Sequence, residues 1–278
     1  MSRPLPSHDL PGITPTIFLS VVIPAYNEAG RIVSTLEQVL SFLQSRSQTF
    51  EVVVVDDGSS DDTVERVLET GGKAGNVRVL RHRRNQGKGS AVRTGMLAAR
   101  GQYLLFSDAD LSAPIGEMDR LLEPLRNGYD VVIGSRALRP EWVQGRSHLR
   151  DTAAKVFNFF LRRITGLDFR DTQCGFKALG RAAAQAIFPL QRIPGFGFDV
   201  EVLYLARKRG FRLLEVPVHW AHSEGTKVRF WRDGSAMFLD LLKIRWNDWR
   251  GRYAMPSGSD DFPRFEELRP AGRDSKES

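Results

Sequence analysis

The sequence is poor in the residues and segments that mark several specialised classes of protein. It contains one cysteine, Cys174, so it cannot form an intramolecular disulfide framework, and no group of Cys and His has zinc-like spacing. No apolar run approaches the roughly 18–20 residues that span a bilayer. The first residues, MSRPLPSHDLPGITP, lack the apolar region of a signal peptide. We therefore expect neither secretion nor a transmembrane anchor.

Several nucleotide-binding signatures are also missing. The segment Gly87-Lys88-Gly89 is not a Walker A loop, because position 82, where that loop needs its first glycine, is His. No G-x-G-x-x-G turn follows the first predicted strand, which argues against a Rossmann dehydrogenase. Helix-turn-helix, zinc-finger and RNP signatures are absent too, so nucleic acid is not an expected partner.

Basic residues exceed acidic ones, and the excess is concentrated in one part of the chain. The 278 residues include 40 Lys and Arg against 33 Asp and Glu, a net charge of +7. Residues 141–255 hold 20 of the basic and 11 of the acidic residues, interleaved with aromatic residues such as Phe160 and Trp246. This pattern indicates a polyanion, a phosphorylated ligand or an anionic membrane surface as a partner. A solvated basic face is the alternative.

Short β-branched runs alternate with helical patterns along the first half of the chain. Strands are predicted at 18–24, 51–55, 77–81, 103–106 and 131–133, and helices at 29–43, 62–69, 90–99 and 115–126. This alternation predicts an α/β domain over residues 16–255, with a mainly parallel central sheet covered by helices on both faces. Residues 1–15 are predicted to be a flexible leader and residues 256–278 a polar tail.

A polar cluster follows each of the first four predicted strands. The clusters are Pro24-Ala25-Tyr26-Asn27-Glu28, Asp56-Asp57-Gly58-Ser59, Asn85-Gln86-Gly87-Lys88-Gly89 and Ser107-Asp108-Ala109-Asp110. Each alone is typical of an ordinary turn. In open α/β sheets, however, ligands bind outside the carboxyl ends of the strands. The four clusters together therefore predict a ligand site at that edge.

The residue types suggest what the ligand is. Asp108 and Asp110 flank one small residue, so a sharp turn can bring both carboxylates to one Mg²⁺ or Mn²⁺ that bridges a substrate diphosphate. Lys88 and the exposed backbone N–H groups expected beside it at a helix N-terminus favour the same anion. Asp57 could accept an N–H group from a nucleobase, and Tyr26 could offer an aromatic edge to the same nucleoside.

These motifs together resemble the family-2 glycosyltransferases, which have the GT-A fold. VVIPAYNE, VVVVDDGSSDDT, NQGKGSAVRTGM, FSDADLS and VIGSR occur in the order and spacing of that family. Within it, DADLSAP, DTQCGFKAL, GFGFDVEVL, EVPVHW and HSEGTKV are similar to the polyprenyl-phosphate transferases, and most to dolichyl-phosphate β-glucosyltransferases. The resemblance implies a three-layer, Rossmann-like fold with C-terminal amphipathic helices. It also implies transfer of glucose from UDP-glucose to a polyprenyl phosphate.

The resemblance assigns the donor side of the site to residues at the strand ends. Positions that hold the donor nucleoside are matched by Pro24, Ala25, Tyr26, Glu28, Val55 and Asp57. Asp108 and Asp110 match the metal-binding pair of the family. Ala109 and Ser112 lie beside that pair, and we expect Lys88 to contact the donor as well.

On the acceptor side, the resemblance points to basic residues further along the chain. Arg136, in VIGSR, matches an arginine that faces the phosphates, and Lys227, in HSEGTKV, corresponds to a cation that closes over the donor diphosphate and the acceptor phosphate. Arg150 is aligned with another acceptor-phosphate arginine. These positions place the acceptor phosphate in the basic part of the chain.

The proton chemistry has two possible forms. Asp199 or Glu201 could act as the base that a hydroxyl acceptor needs, or the pair could begin a helix and hold the basic cluster in place. A phosphate monoester has a second pKa near ~6, so it is mostly a dianion at neutral pH and needs no base. The second form therefore agrees with the polyprenyl-phosphate resemblance, and a single displacement would invert the anomeric centre.

Two segments in the basic part of the chain could contact a membrane. Residues 151–164 and 237–249 carry apolar stripes beside Lys and Arg, a pattern typical of helices lying in the interface of an anionic membrane. The same stripes could pack on the sheet as core. We expect a cytoplasmic protein attached peripherally to the cytoplasmic face of a membrane.

Three alternatives are compatible with the sequence. The donor could be GDP-mannose, or the acceptor could carry a hydroxyl with Asp199 or Glu201 as base. A protein of another class, a nucleic-acid-binding module that uses the basic residues, would bind oligonucleotides with a steep salt dependence and ignore Mg²⁺ and nucleotide sugars.

Overall fold

The computed structural model of the chain describes residues 17–144, 148–221, 230–254 and 263–268, with side chains described except at 73, 148–156 and 230–235. The strands are β1 (Leu19–Ala25), β2 (Phe50–Asp56), β3 (Val77–Arg81), β4 (Tyr103–Ser107), β5 (Val131–Ser135), β6 (Val143–Gln144), β7 (Phe176–Gly180), β8 (Leu213–Pro217), β9 (Trp220–Ala221) and β10 (Glu266–Leu268). The helices are α1 (Ile32–Gln44), α2 (Thr63–Ala74), α3 (Lys88–Ala98), α4 (Met118–Arg126), α5 (His148–Thr165), α6 (Arg181–Ile187), α7 (Phe198–Lys208) and α8 (Phe230–Trp249).

The central sheet has the strand order β10–β3–β2–β1–β4–β7–β5–β8. The four strands β3, β2, β1 and β4 are parallel neighbours, and β5 is parallel to β8. The predicted mainly parallel sheet is therefore confirmed. All five predicted strands are present, with boundaries that differ by at most two residues.

Two antiparallel strands are not predicted by the sequence analysis. β7 lies between β4 and β5. Its sequence FKALG does not predict a strand, because a lysine occupies a buried position. β10 pairs with β3 at one edge of the sheet, inside the predicted polar tail. Its Leu268 packs against the core, so this part of the tail belongs to the fold.

Helices cover both faces of the sheet. Successive residues of a strand point to opposite sides, so each strand contacts both helix layers. Val52 and Val54 of β2 face the layer formed by α1, α2 and α4. Val53 and Val55 face the layer that contains α3, α6 and α7. Strands buried on both faces explain the continuous VVVV run.

The strand ends meet at one edge of the sheet. Ala25, the last residue of β1, lies beside Asp56 of β2, and Asp56 lies beside Arg81 of β3. β4 runs parallel to β1 and ends at Ser107. The polar residues that follow β1, β2, β3 and β4 therefore emerge side by side, as the sequence predicts.

The helices α5 and α8 pack against each other, and their described side chains include both buried and exposed ones. Leu161 of α5 and Leu241 and Ile244 of α8 are fully buried in the core. Large apolar side chains on the same helices remain exposed, namely Phe159, Phe160, Leu239, Leu242, Trp246 and Trp249. Packing into the core thus accounts for part of the two predicted stripes. Within the ranges given above, none of the helices combines the length and apolar character of a bilayer-spanning segment.

Candidate active site

The loop after β1 is held in place by the loop after β2. The backbone N–H groups of Asn27 and Glu28 donate to Ser59 Oγ and Thr63 Oγ1, both at 2.8 Å. Asn27 adopts a left-handed conformation with φ of 52°, which Asn tolerates better than most residues. Tyr26 is 39% exposed at this edge. The predicted nucleoside-binding segment is thus fixed, and its tyrosine is partly exposed.

The other predicted nucleoside-binding positions are less accessible. Ala25 and Val55 are buried at the ends of β1 and β2, and Pro24 is partly buried. The Glu28 carboxylate lies 2.8 Å from the guanidinium of Arg31. These residues lie at the carboxyl edge of the sheet, and their contact with a nucleoside remains a prediction.

Asp57 forms the centre of a buried hydrogen-bond cluster. Its carboxylate accepts the backbone N–H groups of Gln86 at 2.9 Å and Gly87 at 2.7 Å, and lies 2.7 Å from His82 Nδ1. The other ring nitrogen of His82 lies 2.8 Å from Thr94 Oγ1. Because a carboxylate only accepts, Nδ1 carries the proton. In this arrangement Asp57 fixes the loop before α3, and its predicted contact with a nucleobase stays a prediction.

The expectation of exposed backbone N–H groups around Lys88 is wrong. The N–H of Gly87 donates to Asp57, and the N–H of Gly89 donates to Pro194 O at 2.8 Å. A Cβ added at Gly89 would lie 2.5 Å from the carbonyl oxygen of Ile193. The segment before α7 therefore covers this helix start, and neither glycine N–H is available to an anion.

Asp108 and Asp110 occupy a tight turn directly after β4. Asp110 Oδ1 accepts the backbone N–H of Ser112 at 2.9 Å, and Leu111 between them has a left-handed φ of 46°. Asp108 donates its backbone N–H to Gly175 O at 3.2 Å, and a Cβ added at Gly175 would lie 2.1 Å from Asp108 Oδ2. The carboxylate of Asp108 is thus seated directly on the backbone of Gly175.

The carboxylates of Asp108 and Asp110 fit a divalent cation whose remaining coordination positions are filled by a ligand. The Lys88 ammonium lies 2.6 Å from Asp108 Oδ1, an ion pair whose geometry is not that of a regular hydrogen bond. Burial opposes the charge of Lys88, yet the pKa of Lys88 is raised because Asp108, Asp199 and Asp110 outweigh burial. These oxygens already attract a cation, and carboxylate oxygens are ligands of Mg²⁺ and Mn²⁺. Within the described ranges no cluster of three His, Cys, Asp or Glu could hold a metal, and a metal held by Asp108 and Asp110 remains a prediction.

Arg136 lies at the end of β5 and is clamped by Asp171. Its Nε and Nη2 donate to the two carboxylate oxygens of Asp171 at 2.6 and 2.8 Å, and its backbone N–H donates to Oδ2 at 3.0 Å. Burial opposes ionisation of Asp171, but the charge and hydrogen bonds of Arg136 outweigh it and lower the pKa of Asp171 to about 2. The guanidinium also lies over the ring of Trp220, 5.5 Å from its centroid. This bidentate pair fixes the guanidinium plane while leaving 32% of the side chain exposed.

A second ion pair lies entirely inside the protein. Lys177 of β7 contacts Asp199 in the first turn of α7, and its Nζ also donates to Cys174 O at 2.6 Å. Burial raises the pKa of Asp199, although the charges of Lys177 and Lys88 oppose that shift. Burial likewise raises the pKa of the Cys174 thiol to about 12, so it stays protonated at neutral pH.

The carboxylate of Glu201, near the start of α7, accepts three hydrogen bonds from within the protein. Its Oε1 accepts the hydroxyl of Tyr253 at 2.7 Å, and its Oε2 accepts the backbone N–H groups of Ile193 at 2.7 Å and Arg192 at 3.0 Å. The residue is fully buried. These contacts favour the second of the two interpretations, in which the acidic pair begins a helix and supports its surroundings.

The structure brings four of the predicted charged residues together and adds two that the sequence analysis does not assign. Lys88, Asp108 and Asp110 form one cluster, and the charge of Asp108 also acts on Arg136. Lys227 lies outside the described residues, and Arg150 lies in α5 with its side chain outside them. Asp171 and Lys177 are the additions, and both belong to DTQCGFK, the one signal that could have identified them.

Gly175 offers a direct test of this geometry. In a Gly175→Ala variant the new methyl group must displace the Asp108 carboxylate, since no other atom lies closer to it. A shift of about 1 Å at a reacting centre can cost about 100-fold in rate. We expect transfer activity and Mn²⁺ affinity to fall, with the circular dichroism spectrum unchanged. Gly30→Ala is the matched control, because nothing lies within 4 Å of its added Cβ; equal activity of both variants would contradict this packing.

Comparison with known protein families gives a match over more than half of the chain. The model of "Glycosyl transferase family 2" matches residues 20–188. A dolichyl-phosphate beta-glucosyltransferase of Mus musculus is 40% identical over 253 residues, covering 85% of this chain and 78% of the relative. The protein of the same name from Dictyostelium discoideum is 36% identical over 242 residues, covering 82% and 74%.

Solved structures show a similar fold. The glucosyl-3-phosphoglycerate synthase from Mycobacterium tuberculosis, in complex with Mn²⁺, UDP-glucose and phosphoglyceric acid, has a TM-score of 0.60 and 22% identity, covering 87% of this chain and 81% of that chain. Its complex with Mg²⁺ and UDP gives the same score, identity and coverage. The likeness concerns the fold, and it agrees with the GT-A architecture that the sequence motifs imply.

Proposed function

Because this chain belongs to glycosyl transferase family 2, we propose that it transfers glucose from UDP-glucose to a polyprenyl phosphate such as dolichyl phosphate. The relatives named dolichyl-phosphate beta-glucosyltransferase support the glucosyl group and the acceptor. The observation that carries the proposal is one charge cluster at the carboxyl edge of the sheet. Asp108 and Asp110 lie there with Lys88, and the charge of Asp108 reaches Arg136. This arrangement can hold two phosphate-bearing ligands at once.

The donor occupies the side of the cluster formed by the ends of β1, β2 and β4. Asp108 and Asp110 would hold a Mg²⁺ or Mn²⁺ ion, which when bound neutralises the negative charge on the diphosphate of the leaving UDP. Lys88 adds a cation close to the same group. Tyr26 offers its exposed ring to the nucleoside. These residues orient the anomeric carbon of the glucosyl group toward the basic side of the site.

The acceptor occupies the side formed by Arg136. An oxygen of the polyprenyl phosphate forms a bond to the anomeric carbon, the bond from that carbon to UDP breaks, and its electron pair leaves with the β-phosphate. Asp171 fixes the guanidinium that presents the acceptor, and Lys227 is proposed to close over both phosphates. One displacement of this kind gives a β-linked product from an α-linked donor.

No base is needed in this reaction, since the acceptor phosphate is already ionised at neutral pH. The contacts of the two candidate bases support this conclusion. Glu201 is occupied by Tyr253 and two backbone N–H groups, and Asp199 is paired with Lys177. We therefore assign both carboxylates to support of the site rather than to proton transfer.

The pH dependence should follow the acceptor and not the protein. Arg136 has a raised pKa and Asp171 a pKa of about 2, so neither titrates near neutrality. The second phosphate pKa lies near ~6, so kcat/KM for the acceptor should be constant above it and fall as pH decreases through it. The check is a rate profile with a polyprenyl phosphonate as second acceptor, whose higher second pKa must move the inflection upward. An inflection common to both acceptors would indicate a protein base.

We extend the proposal to peripheral attachment at the cytoplasmic face of a membrane. Attachment is expected because the polyprenyl chain of the acceptor lies in the bilayer. The exposed side chains of α5 and α8 support it: Trp249 is 77% and Phe159 64% exposed, and the guanidinium of Arg250 lies 4.5 Å from the centroid of the Trp246 ring. Trp and Arg together are typical of helices at lipid head groups.

Substitution of the two tryptophans tests this attachment. A Trp246→Ser, Trp249→Ser double variant should lose at least about tenfold in affinity for vesicles that contain phosphatidylserine, because aromatic anchoring area is removed. Vesicle sedimentation measures it. Phe265→Ser removes a similarly exposed aromatic residue next to β10 and is the control. Loss of the same size in the control, or none in the double variant, would refute the assigned surface.

The transfer itself is tested with labelled UDP-glucose and labelled GDP-mannose, each incubated with a short polyprenyl phosphate and Mn²⁺ and then extracted into organic solvent. We expect label from UDP-glucose in the organic phase. Label from GDP-mannose alone would assign a different donor, and no organic label from either would overturn the proposed acceptor.

A further inference from the structure

Residues 170–175, here called the 170–175 loop, connect the two sides of the site. Asp171 near its start holds the guanidinium of Arg136. Gly175 at its end supports the carboxylate of Asp108. The loop is fixed from within as well, since the backbone N–H of Gln173 donates to Asp171 Oδ1 at 3.1 Å. Its middle residues thus lie between the proposed acceptor cation and the proposed metal ligands.

Two polar side-chain atoms in the middle of this loop lack a hydrogen-bond partner. They are Thr172 Oγ1 and Gln173 Nε2, both buried, and neither bonds to any residue in the described ranges. Proteins pair nearly all buried polar groups, and one left unpaired costs free energy. Loop 170–175 is otherwise well anchored, with the N–H of Asp171 bonded to Glu215 at 2.8 Å. An unpaired donor in a fixed loop at a ligand site indicates that a ligand supplies the acceptor.

The reaction geometry identifies that ligand. In the proposed function the leaving diphosphate lies at Asp108 and the attacking phosphate at Arg136, so the anomeric carbon of the glucosyl group must lie between them. The loop that spans the same interval carries the unpaired amide. Sugar hydroxyl oxygens accept hydrogen bonds from an amide N–H. Thr172 is only 1% exposed, whereas Gln173 is partly exposed, so a rotation of its side chain can bring the buried amide to a ligand.

We propose that Gln173 donates a hydrogen bond from its side-chain amide to a hydroxyl of the transferred glucosyl group and so contributes to the choice of donor sugar. This inference rests on the proposed function, because it places the sugar between the two phosphates. The residue binds the part of the donor that distinguishes one nucleotide sugar from another. It contacts neither the nucleotide nor the acceptor.

A Gln173→Met variant separates this role from a structural one. Methionine has a similar length and no polar group, so the melting temperature of the free protein should be unchanged or higher. Affinity for UDP should be unchanged. The kcat/KM for UDP-glucose should fall about 10-fold to 100-fold, the size expected for one lost buried hydrogen bond. Gln44→Met, at the exposed end of α1, is the matched control. A lower melting temperature in Gln173→Met would show a structural role and overturn the inference.

Deoxy donors identify the contact itself. UDP-glucose analogues that each lack one sugar hydroxyl are compared in the wild-type and Gln173→Met proteins, both by turnover and by binding. With the wild-type protein, one analogue should show a kcat/KM that is lower than that of UDP-glucose by the same factor as the Gln173→Met substitution causes. With the variant, the kcat/KM of that analogue should equal that of UDP-glucose. If every analogue loses equal factors with both proteins, Gln173 contacts no sugar hydroxyl, while the proposed function stands. A wild-type protein that neither binds nor turns over UDP-glucose overturns both.

Discussion

Asp110→Asn will lower the rate of glucosyl transfer about 1,000-fold or more and abolish metal-dependent binding of UDP. Asparagine keeps a side-chain oxygen that can accept the N–H of Ser112, so the turn after β4 should survive. What is lost is a negative charge that a divalent cation requires, and electrostatic stabilisation of a leaving group contributes several kcal/mol. Transfer assays and calorimetric UDP titrations, with and without Mn²⁺, measure the two effects.

Asp119→Asn is the matched control for this substitution. Asp119, in α4, forms an exposed ion pair with Arg46, which follows the C-terminal end of α1, and its loss should leave transfer and UDP binding unchanged. The melting temperature of the Asp110→Asn protein must stay close to that of wild type for the comparison to hold. Normal transfer by folded Asp110→Asn protein would show that Asp110 is not a metal ligand.

Lys177→Met will destabilise the fold by about 3–5 kcal/mol, the cost of leaving one charge of a buried pair without its partner. Lys177 is fully buried and Asp199 is 2% exposed, so water cannot compensate. A double variant, Lys177→Met with Asp199→Leu, should recover much of this loss, because it replaces both charges with apolar side chains. Urea unfolding of the single and double variants measures the difference.

The same double variant decides what Asp199 does in the reaction. If Asp199 supports the site only through Lys177, the refolded double variant should transfer glucose at a measurable fraction of the wild-type rate. A general base contributes about 100-fold to 10,000-fold to the rate. Loss of activity of that size in a stable double variant would show that Asp199 acts as the general base. Lys208→Met removes an exposed partner of Asp248 and should change stability little.

The site was predictable wherever function depends on the ends of parallel strands. Lys88, Asp108 and Asp110 follow predicted strands, and parallel strands that lie side by side bring their carboxyl ends to one edge. Local pattern was therefore enough to place these three residues together. The family resemblance added Arg136, which the structure locates at the end of β5.

The rest depended on contacts between distant segments. The sequence predicts exposed N–H groups at Gly87 and Gly89, but Asp57 and Pro194 accept their hydrogen bonds. Lys177 interrupts an apolar run that would otherwise indicate β7, and its burial is possible only because Asp199, 22 residues later, pairs with it. Neither hydrophobic periodicity nor turn composition reports such pairings.

The central claim is that the acceptor is a phosphate already ionised, presented by Arg136 to a donor held at Asp108 and Asp110. Its most direct test is a comparison of two acceptors with the same short isoprenoid chain, one ending in a phosphate and one in a free hydroxyl, in the presence of UDP-glucose and Mn²⁺. We predict that only the phosphate becomes glucosylated and that its product is the β-anomer. Glucosylation of the free alcohol at a comparable rate would contradict the claim.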